Sequence, residues 1–224
     1  MVFHLTIQSF LFTFLMTVVA TESITPTDRK FLALGDSYTI GESVSEKERW
    51  PVQLAKKLRE KGQSIGEPLI IATTGWRTDD LMNAVNKAHL KNEYDLVSLL
   101  IGVNNQYQGK SSEQYVIEFE DLLKTAIQLA KGKKENVFVV SIPDYGYTPF
   151  GKPKQAEISK ALDRFNEINK RITEKAGIKY INITDISRQG IQQPELVADD
   201  GLHPSGKMYS LWVDRIVESL VVNR

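Results

Sequence analysis

Short runs of apolar residues alternate along the chain with longer segments whose apolar positions recur every three to four residues. The runs are typical of strands buried on both faces, and the longer segments are typical of amphipathic helices. The runs predict five strands, at 30–34, 69–72, 94–101, 137–142 and 179–183. The longer segments predict five helices, at 50–62, 78–88, 111–129, 154–176 and 206–221.

The alternation of strands and helices predicts repeated βαβ units, and hence a parallel sheet covered by helices on both faces. The predicted fold class is therefore α/β: a three-layer αβα sandwich, flavodoxin-like, with a five-stranded parallel sheet. At 224 residues the chain is long enough for one well-buried domain, and no linker rich in Pro, Gly or Ser divides it. Residues 21–224 are predicted to form that single domain.

Residues 1–20 are predicted to be a signal peptide. The segment 5–20 is apolar, ends in Val18-Val19-Ala20, and is followed by the polar residues 21–23, which is the pattern of a secretory signal with a small-residue cleavage site. We expect cleavage after Ala20 and export to the periplasm or the medium. Because no Lys or Arg precedes the apolar run, an uncleaved segment that anchors the protein to the membrane is the alternative.

Charge and cysteine content exclude several classes of function. The 28 Lys and Arg residues balance the 28 Asp and Glu residues, which argues against a dedicated nucleic-acid surface. The absence of cysteine from the sequence excludes disulfides, thiolate catalysis and thiolate metal sites. The sequence contains no phosphate-binding Gly-Lys-Ser/Thr loop and no dinucleotide fingerprint, so nucleotide chemistry has no specific support. No metal or organic cofactor is expected.

The first predicted strand stops at Gly35-Asp36-Ser37, which places a serine at the carboxyl edge of the sheet, where open α/β folds bind ligands. A serine hydroxyl is a poor nucleophile at neutral pH and needs a neighbouring base, usually histidine, and a group that orients the base. His203 lies in a tight turn three residues after Asp200. His4 lies in the predicted signal peptide and His89 follows a helix without a partner nearby in sequence, so His203 is the candidate base and Asp200 its orienting group.

Polar residues at two further strand ends complete the candidate site. The backbone amides of Ser37 and of the Gly75 turn and the side-chain amide of Asn104 are placed to converge on a developing oxyanion. Each feature alone has a simpler interpretation: Ser37 as a helix cap, Gly75 as a turn glycine, and Asp200 with His203 as a loop pair or weak metal site. Their occurrence together, at strand ends and in the closing loop, favours acyl-transfer chemistry.

These features resemble the four sequence blocks of the GDSL-type, or SGNH, hydrolase superfamily. The blocks occur in order as Gly35-Asp36-Ser37-Tyr38, the Gly75 turn, Gly102-Val103-Asn104-Asn105 and Asp200-Gly201-Leu202-His203-Pro204. The resemblance implies that carboxylic esters are cleaved through an acyl-enzyme without a cofactor. It implies Ser37 as nucleophile and oxyanion donor, Gly75 and Asn104 as further oxyanion donors, His203 as base and Asp200 as its orienter.

Two residues depart from the family pattern, because Tyr38 replaces the usual leucine and Asn105 replaces the usual aspartate. Neither is a catalytic position, so the departures leave substrate and subfamily open. Trp76, Arg77, Tyr107 and Tyr145 are predicted to contact the substrate. Four more side chains are placed at the mouth of the site, namely Trp50, Gln106, Tyr147 and Phe150.

Aromatic rings mixed with polar groups suit a short-acyl or carbohydrate-borne ester better than a long lipid chain. Packing of loops onto the sheet is the alternative role of the rings. The expected partner is therefore a small-molecule or carbohydrate-linked ester, with no nucleic acid, and with a membrane only if the amino-terminal segment stays uncleaved. Two other functions remain open: an acyltransferase with the same triad, and a non-catalytic binding module on the same fold.

Overall fold

The computed structural model describes Met1 and residues 28–221. The predicted signal peptide therefore lies outside the described residues, apart from Met1. Within the described part of the chain, no helix is both long enough and apolar enough to span a membrane.

Five parallel strands form one sheet. They are β1 (Phe31–Gly35), β2 (Leu69–Ala72), β3 (Leu96–Leu100), β4 (Val137–Val140) and β5 (Lys179–Ile181). Their order in the sheet is β2-β1-β3-β4-β5, which is the order of flavodoxin-like folds. Every residue of β1, β3 and β4 is buried, as the predominantly apolar runs predict.

The eight α-helices of the described residues cover both faces of this sheet. They are α1 (Ser37–Ile40), α2 (Trp50–Glu60), α3 (Thr78–Lys87), α4 (Val103–Tyr107), α5 (Ser112–Leu129), α6 (Gln155–Lys175), α7 (Thr184–Ser187) and α8 (Gly206–Val221). Helix α2 packs on α8, and α5 packs on α3 and α6. Strands and helices together confirm the predicted three-layer αβα sandwich.

The three short helices were not predicted. The sequence pattern indicates loops at 35–48 and 102–107, where the structure has α1 and α4. Helices of four or five residues complete little more than one turn, so they show no repeat of apolar positions. The correction matters for function, because α1 begins at Ser37 and α4 contains Asn104.

The first three strands end level with one another. Gly35 pairs with Ala72 of β2 and with Leu100 of β3. The loops that follow these strands therefore leave the sheet at the same edge, and the residues that they carry meet there despite their separation in sequence.

The chain turns sharply after β3, at Gly102. Its φ is +128°, and a Cβ atom there would lie 2.4 Å from Tyr115 Oη, so only glycine fits. The Tyr115 hydroxyl lies 2.9 Å from the carbonyl oxygen of Ile101 and 2.6 Å from Asn169 Oδ1, so these two acceptors share its single proton. Helices α5 and α6 thus fix the backbone from which α4 starts.

Candidate active site

Ser37 is the first residue of α1, directly after β1. Asp36 caps this helix, since its Oδ1 accepts a hydrogen bond of 3.1 Å from the backbone N–H of Tyr38. The Ser37 residue is 5% exposed. The first N–H groups of a helix have no acceptor within the helix, so the backbone N–H of Ser37 has no acceptor from α1, and the residue itself lies at the edge of the sheet where β1 ends.

Asp36 is an unusual carboxyl group that has no predicted role. It is fully buried, and burial raises its pKa to about 7 although the hydrogen bond from Tyr38 lowers it. Its Oδ2 has no hydrogen-bond partner among the described residues. An acidic residue between an apolar strand and a helix start was the available signal, and it indicates the cap but not the burial.

Asp200 and His203 form a direct pair. His203 Nδ1 lies 2.6 Å from Asp200 Oδ2, and Asp200 Oδ1 accepts hydrogen bonds of 2.9 Å from the backbone N–H groups of Leu202 and His203. The three-residue spacing therefore closes a turn that brings the carboxylate to the imidazole. With a proton on Nδ1 donated to the carboxylate, Nε2 carries the lone pair that can accept a proton.

Asp200 is held as a carboxylate. Partial burial acts to raise its pKa, but hydrogen bonds from the Ser43 hydroxyl, from the backbone and ring of His203, and from the Leu202 N–H lower the pKa well below its usual range. The carboxylate is therefore charged at every pH at which the protein is expected to work. Its negative charge lies beside Nδ1 of the imidazole, at 2.6 Å.

Two contacts bring the amino-terminal and carboxyl-terminal parts of the site together. The Tyr38 ring packs edge-on against the His203 ring, with centroids 5.8 Å apart and an interplanar angle of 63°. The Ser43 hydroxyl donates a hydrogen bond of 2.5 Å to Asp200 Oδ2. The residue that follows Ser37 thus touches the imidazole, although the two are far apart in the chain.

The Gly75 loop and helix α4 are hydrogen-bonded to each other. Asn104 Nδ2 donates to the carbonyl of Trp76 at 2.9 Å, and Gln108 Nε2 donates to the carbonyl of Gly75 at 3.3 Å. Gly75 has a φ of +85°, which favours glycine. Because a side-chain amide carries two N–H groups, the bond to Trp76 fixes the direction of the Asn104 amide and leaves its second N–H for another acceptor.

Comparison with known proteins identifies the family. The profile of the GDSL-like lipase/acylhydrolase family matches residues 33–211. The chain belongs to this family. It is an ester-hydrolysing enzyme, and the predicted recognition from the four sequence blocks is confirmed.

Individual relatives are distant. An arylesterase of Vibrio mimicus is 24% identical over 195 residues, which cover 86% of this chain and 88% of the relative. A psychrotrophic esterase from Pseudoalteromonas sp. has a TM-score of 0.63 at 20% identity, covering 86% of this chain and 97% of the other. An acetylxylan esterase from Geobacillus stearothermophilus has a TM-score of 0.64 at 16% identity, covering 87% of this chain and 95% of the esterase. At these identities the structural likenesses show a shared fold.

Three aromatic side chains of this GDSL-family enzyme pack together at the edge of the sheet where the site lies. They belong to Tyr107, Tyr145 and Phe150, and we call them the aromatic rim. The centroid of the Tyr107 ring lies 6.1 Å from the centroid of the Tyr145 ring and 6.3 Å from the centroid of the Phe150 ring. Tyr145 is buried and its hydroxyl donates to Gln106 Oε1 at 3.0 Å. Tyr107 and Phe150 are 60% and 51% exposed, so they present apolar surface beside the site.

Three other residues predicted at the mouth of the site, Trp76, Arg77 and Tyr147, differ in their burial and in their contacts. Trp76 is half-buried. The Arg77 guanidinium donates two hydrogen bonds to Asp79, at 2.9 and 2.7 Å, and a third to Gln108 at 2.7 Å. Arg77 is thus held at the start of α3 by side chains of the enzyme itself. The Tyr147 ring lies 6.0 Å from the Arg188 guanidinium.

The placement of Trp50 at the mouth is wrong. Trp50 has no exposed surface, and its ring packs against Phe138 of β4, with centroids 6.4 Å apart. It begins α2, whose apolar face covers the sheet, so the indole belongs to the core.

Among the described residues, no group of three or more His, Asp or Glu side chains is arranged to hold a metal ion.

Proposed function

We propose that this enzyme is a serine esterase that cleaves carboxylic esters through an acyl-enzyme. Ser37 is the nucleophile, His203 the general base and Asp200 the group that orients it. One observation carries the proposal: the imidazole that is bonded at Nδ1 to Asp200, at 2.6 Å, packs on the side chain next to Ser37.

The triad works by proton transfer. His203 Nε2 takes the proton of the Ser37 hydroxyl as the oxygen attacks the ester carbonyl, and it returns this proton to the alcohol that leaves. Water then attacks the acyl-enzyme, with Nε2 again taking a proton and giving it back to Ser37 Oγ as the acid departs. Asp200 stays ionised throughout, because its hydrogen bonds hold its pKa low, and it stabilises the imidazolium in both steps.

Three N–H donors are proposed to stabilise the tetrahedral oxyanion. They are the backbone N–H groups of Ser37 and Gly75 and the second N–H of the Asn104 amide. The register of β1, β2 and β3 supports this assignment, since the segments that carry Ser37, Gly75 and Asn104 follow strands that end at one edge of the sheet. Donors fixed before the reaction stabilise the developing charge without having to reorganise.

The proposed substrates are short-acyl or carbohydrate-borne esters. The rings of the aromatic rim lie beside the polar side chain of Gln106, and rings mixed with polar groups suit such esters better than a long lipid chain. The exposed rings of Tyr107 and Phe150 offer flat apolar faces to an alcohol moiety such as a sugar ring. A fold shared with an acetylxylan esterase is compatible with such a substrate.

Export is part of the proposal, because residues 5–20 have the pattern of a secretory signal that ends in small residues. Expression of the full chain in a host with a secretory pathway, followed by intact-mass measurement, tests it. A mature protein that begins at Thr21 in the soluble exported fraction is expected. Full-length protein in the membrane fraction supports the alternative of an uncleaved anchor, and full-length protein in the cytoplasm overturns export.

Hydrolysis of p-nitrophenyl esters with acyl chains of two to eight carbons tests the proposed activity. We expect kcat/KM to be highest at two to four carbons, and Ser37→Ala to lower kcat by about 10⁴-fold or more with an unchanged melting temperature. A preference for the longest chain would overturn the substrate class, and activity retained in Ser37→Ala would overturn the nucleophile. The same assays separate the two alternative functions. If the products show the acyl group transferred to an added sugar and not to water, the protein is an acyltransferase. If the wild-type protein neither turns over an ester nor reacts with a fluorophosphonate, it is a binding module.

A further inference from the structure

Ser43 lies three residues beyond the end of α1 and reaches the far side of the site. Its hydroxyl donates a hydrogen bond of 2.5 Å to Asp200 Oδ2, across 157 positions of the chain. The same oxygen lies 2.6 Å from His203 Nδ1. Ser43 and the imidazole thus share one carboxylate oxygen.

The hydrogen bonds of Asp200 show what Ser43 adds. Oδ1 receives two backbone N–H donors from its own turn, those of Leu202 and His203, and Oδ2 receives His203 Nδ1 and Ser43 Oγ. A carboxylate with two donors on each oxygen cannot rotate about its Cβ–Cγ bond without losing bonds. Among the described residues, Ser43 is the only one of these donors outside the 200–203 turn, so it ties the plane of the carboxylate to the loop that follows the predicted nucleophile.

The backbone of Ser43 is unusual in a way that supports this role. Its φ is +64°, in the left-handed region that serine seldom adopts. Only two other non-glycine residues of the described chain have a positive φ, namely His89 and Lys131. Each of those lies at the position just after a helix C-cap, Ala88 of α3 and Ala130 of α5, where this conformation is common.

Ser43 has no such explanation. Helix α1 has already ended at Gly41, which supplies its own left-handed cap with φ of +74°. The neighbouring residue Glu42 accepts a hydrogen bond from the Thr74 hydroxyl, so the turn is held from the Gly75 loop as well. A strained conformation that persists without a helix-end role is typical of functional sites.

We infer that Ser43 is a positioning residue that acts through Asp200, by fixing the carboxylate plane from which the His203 imidazole takes its orientation. The inference rests on the proposed function. The Ser43 hydroxyl contacts no reacting atom in this role. Its removal therefore slows the chemical step while leaving substrate binding unchanged.

The test compares Ser43→Ala with Ser43→Gly, using p-nitrophenyl acetate. Both variants lack the hydroxyl, so kcat is expected to fall by about three- to tenfold in each, with KM unchanged. Glycine also relieves the positive φ, so Ser43→Gly is expected to melt at a higher temperature than Ser43→Ala. The two variants are then expected to lose the same activity at different melting temperatures, so the loss comes from the missing hydroxyl and not from reduced stability.

Ser64→Ala is the matched control. The Ser64 hydroxyl donates an exposed bond of the same length, 2.5 Å, to Asp28. Residues 64 and 28 precede β2 and β1, at the opposite edge of the sheet from Ser37. This variant is expected to keep the wild-type kcat and KM.

An Asp200→Asn background tests whether Ser43 acts through Asp200. If it does, adding Ser43→Ala to Asp200→Asn changes kcat by less than about twofold, because coupled residues do not contribute independently. The inference is overturned if both Ser43 variants keep wild-type kcat, if kcat follows the melting temperature, or if Ser43→Ala costs the same factor in both backgrounds. Full activity in the Ser43 variants beside an inactive Ser37→Ala overturns this inference alone, whereas activity in Ser37→Ala overturns the proposed function.

Discussion

Asn105 Oδ1 accepts a hydrogen bond of 3.1 Å from the backbone N–H of Thr78, and its Nδ2 donates one of 2.6 Å to Thr78 Oγ1. Both residues are buried. The Thr78 hydroxyl donates in turn to the Glu118 carboxylate of α5. The residue that departs from the family's usual aspartate thus fastens the start of α3, the helix that follows the Gly75 loop.

Replacing Asn105 with the family's usual residue is predicted to destabilise this protein. In Asn105→Asp the new carboxylate cannot donate to Thr78 Oγ1, whose proton already goes to Glu118, and two acidic groups come to share one hydroxyl. We expect a loss of about 2–3 kcal/mol in the free energy of unfolding at pH 8. Urea unfolding at pH 8 measures it.

Two further variants define the cause. Adding Glu118→Gln to Asn105→Asp removes one of the two charges and is expected to restore part of the stability. Asn83→Asp, at an exposed position of the same helix, is the matched control and is expected to unfold like the wild type. Wild-type stability of Asn105→Asp at pH 8 would contradict this account of the Asn105 contacts.

Asp36 is predicted to make the protein less stable as the pH rises. Its pKa is raised by burial to about 7 from an ordinary value near 3.8, so between these values the folded state holds a proton that the unfolded state has lost. The stabilisation from this proton is complete below about pH 4 and is lost as the pH rises through 7.

Asp36→Asn isolates this contribution, because asparagine keeps the Oδ1 acceptor for the Tyr38 N–H and cannot ionise. From pH 4 to pH 8 the free energy of unfolding of the variant is expected to rise relative to that of the wild type by about 4 kcal/mol. Urea unfolding at pH 4, 6 and 8 measures the gain. The exposed Asp199 provides the control Asp199→Asn, and a constant difference between Asp36→Asn and wild type at all three pH values would show that Asp36 ionises normally.

The exposed rings of the aromatic rim are predicted to bind the alcohol part of the substrate. Tyr107→Ala and Phe150→Ala are expected to raise KM for an acetylated sugar about three- to tenfold, with little change in melting temperature because both rings are at least half exposed. Ile117→Ala is the control, since Ile117 is 59% exposed on α5 and lies outside the rim. Unchanged KM values in both rim variants would assign the rings to loop packing.

The features that the sequence predicts correctly are those set by local pattern. The predominantly apolar runs identify β1 and β3 because parallel strands are buried on both faces. The pairing of Asp200 with His203 was predictable because His203 follows Asp200 by three positions in one turn. The long helices α5 and α6 repeat their apolar positions often enough to be recognised.

What the sequence did not reveal depends on contacts between distant segments. Helix α1 is too short for a periodic signal, so its start at Ser37 was predicted as a loop. The core position of Trp50 follows from the packing of α2 on the sheet. The bond from Ser43 to Asp200 depends on a positive φ and on a turn 157 residues away, and neither can be read from neighbouring residues.

Active-site labelling tests the central claim most directly. The wild-type protein is treated with a fluorophosphonate, in which attack by the serine oxygen expels fluoride and leaves a stable phosphonyl ester, and the adduct is located by peptide mass spectrometry. We predict one adduct per chain, on Ser37, formed much more slowly in His203→Ala. An adduct on another residue, an adduct that persists in Ser37→Ala, or the absence of any adduct would contradict the assignment of Ser37 as the nucleophile.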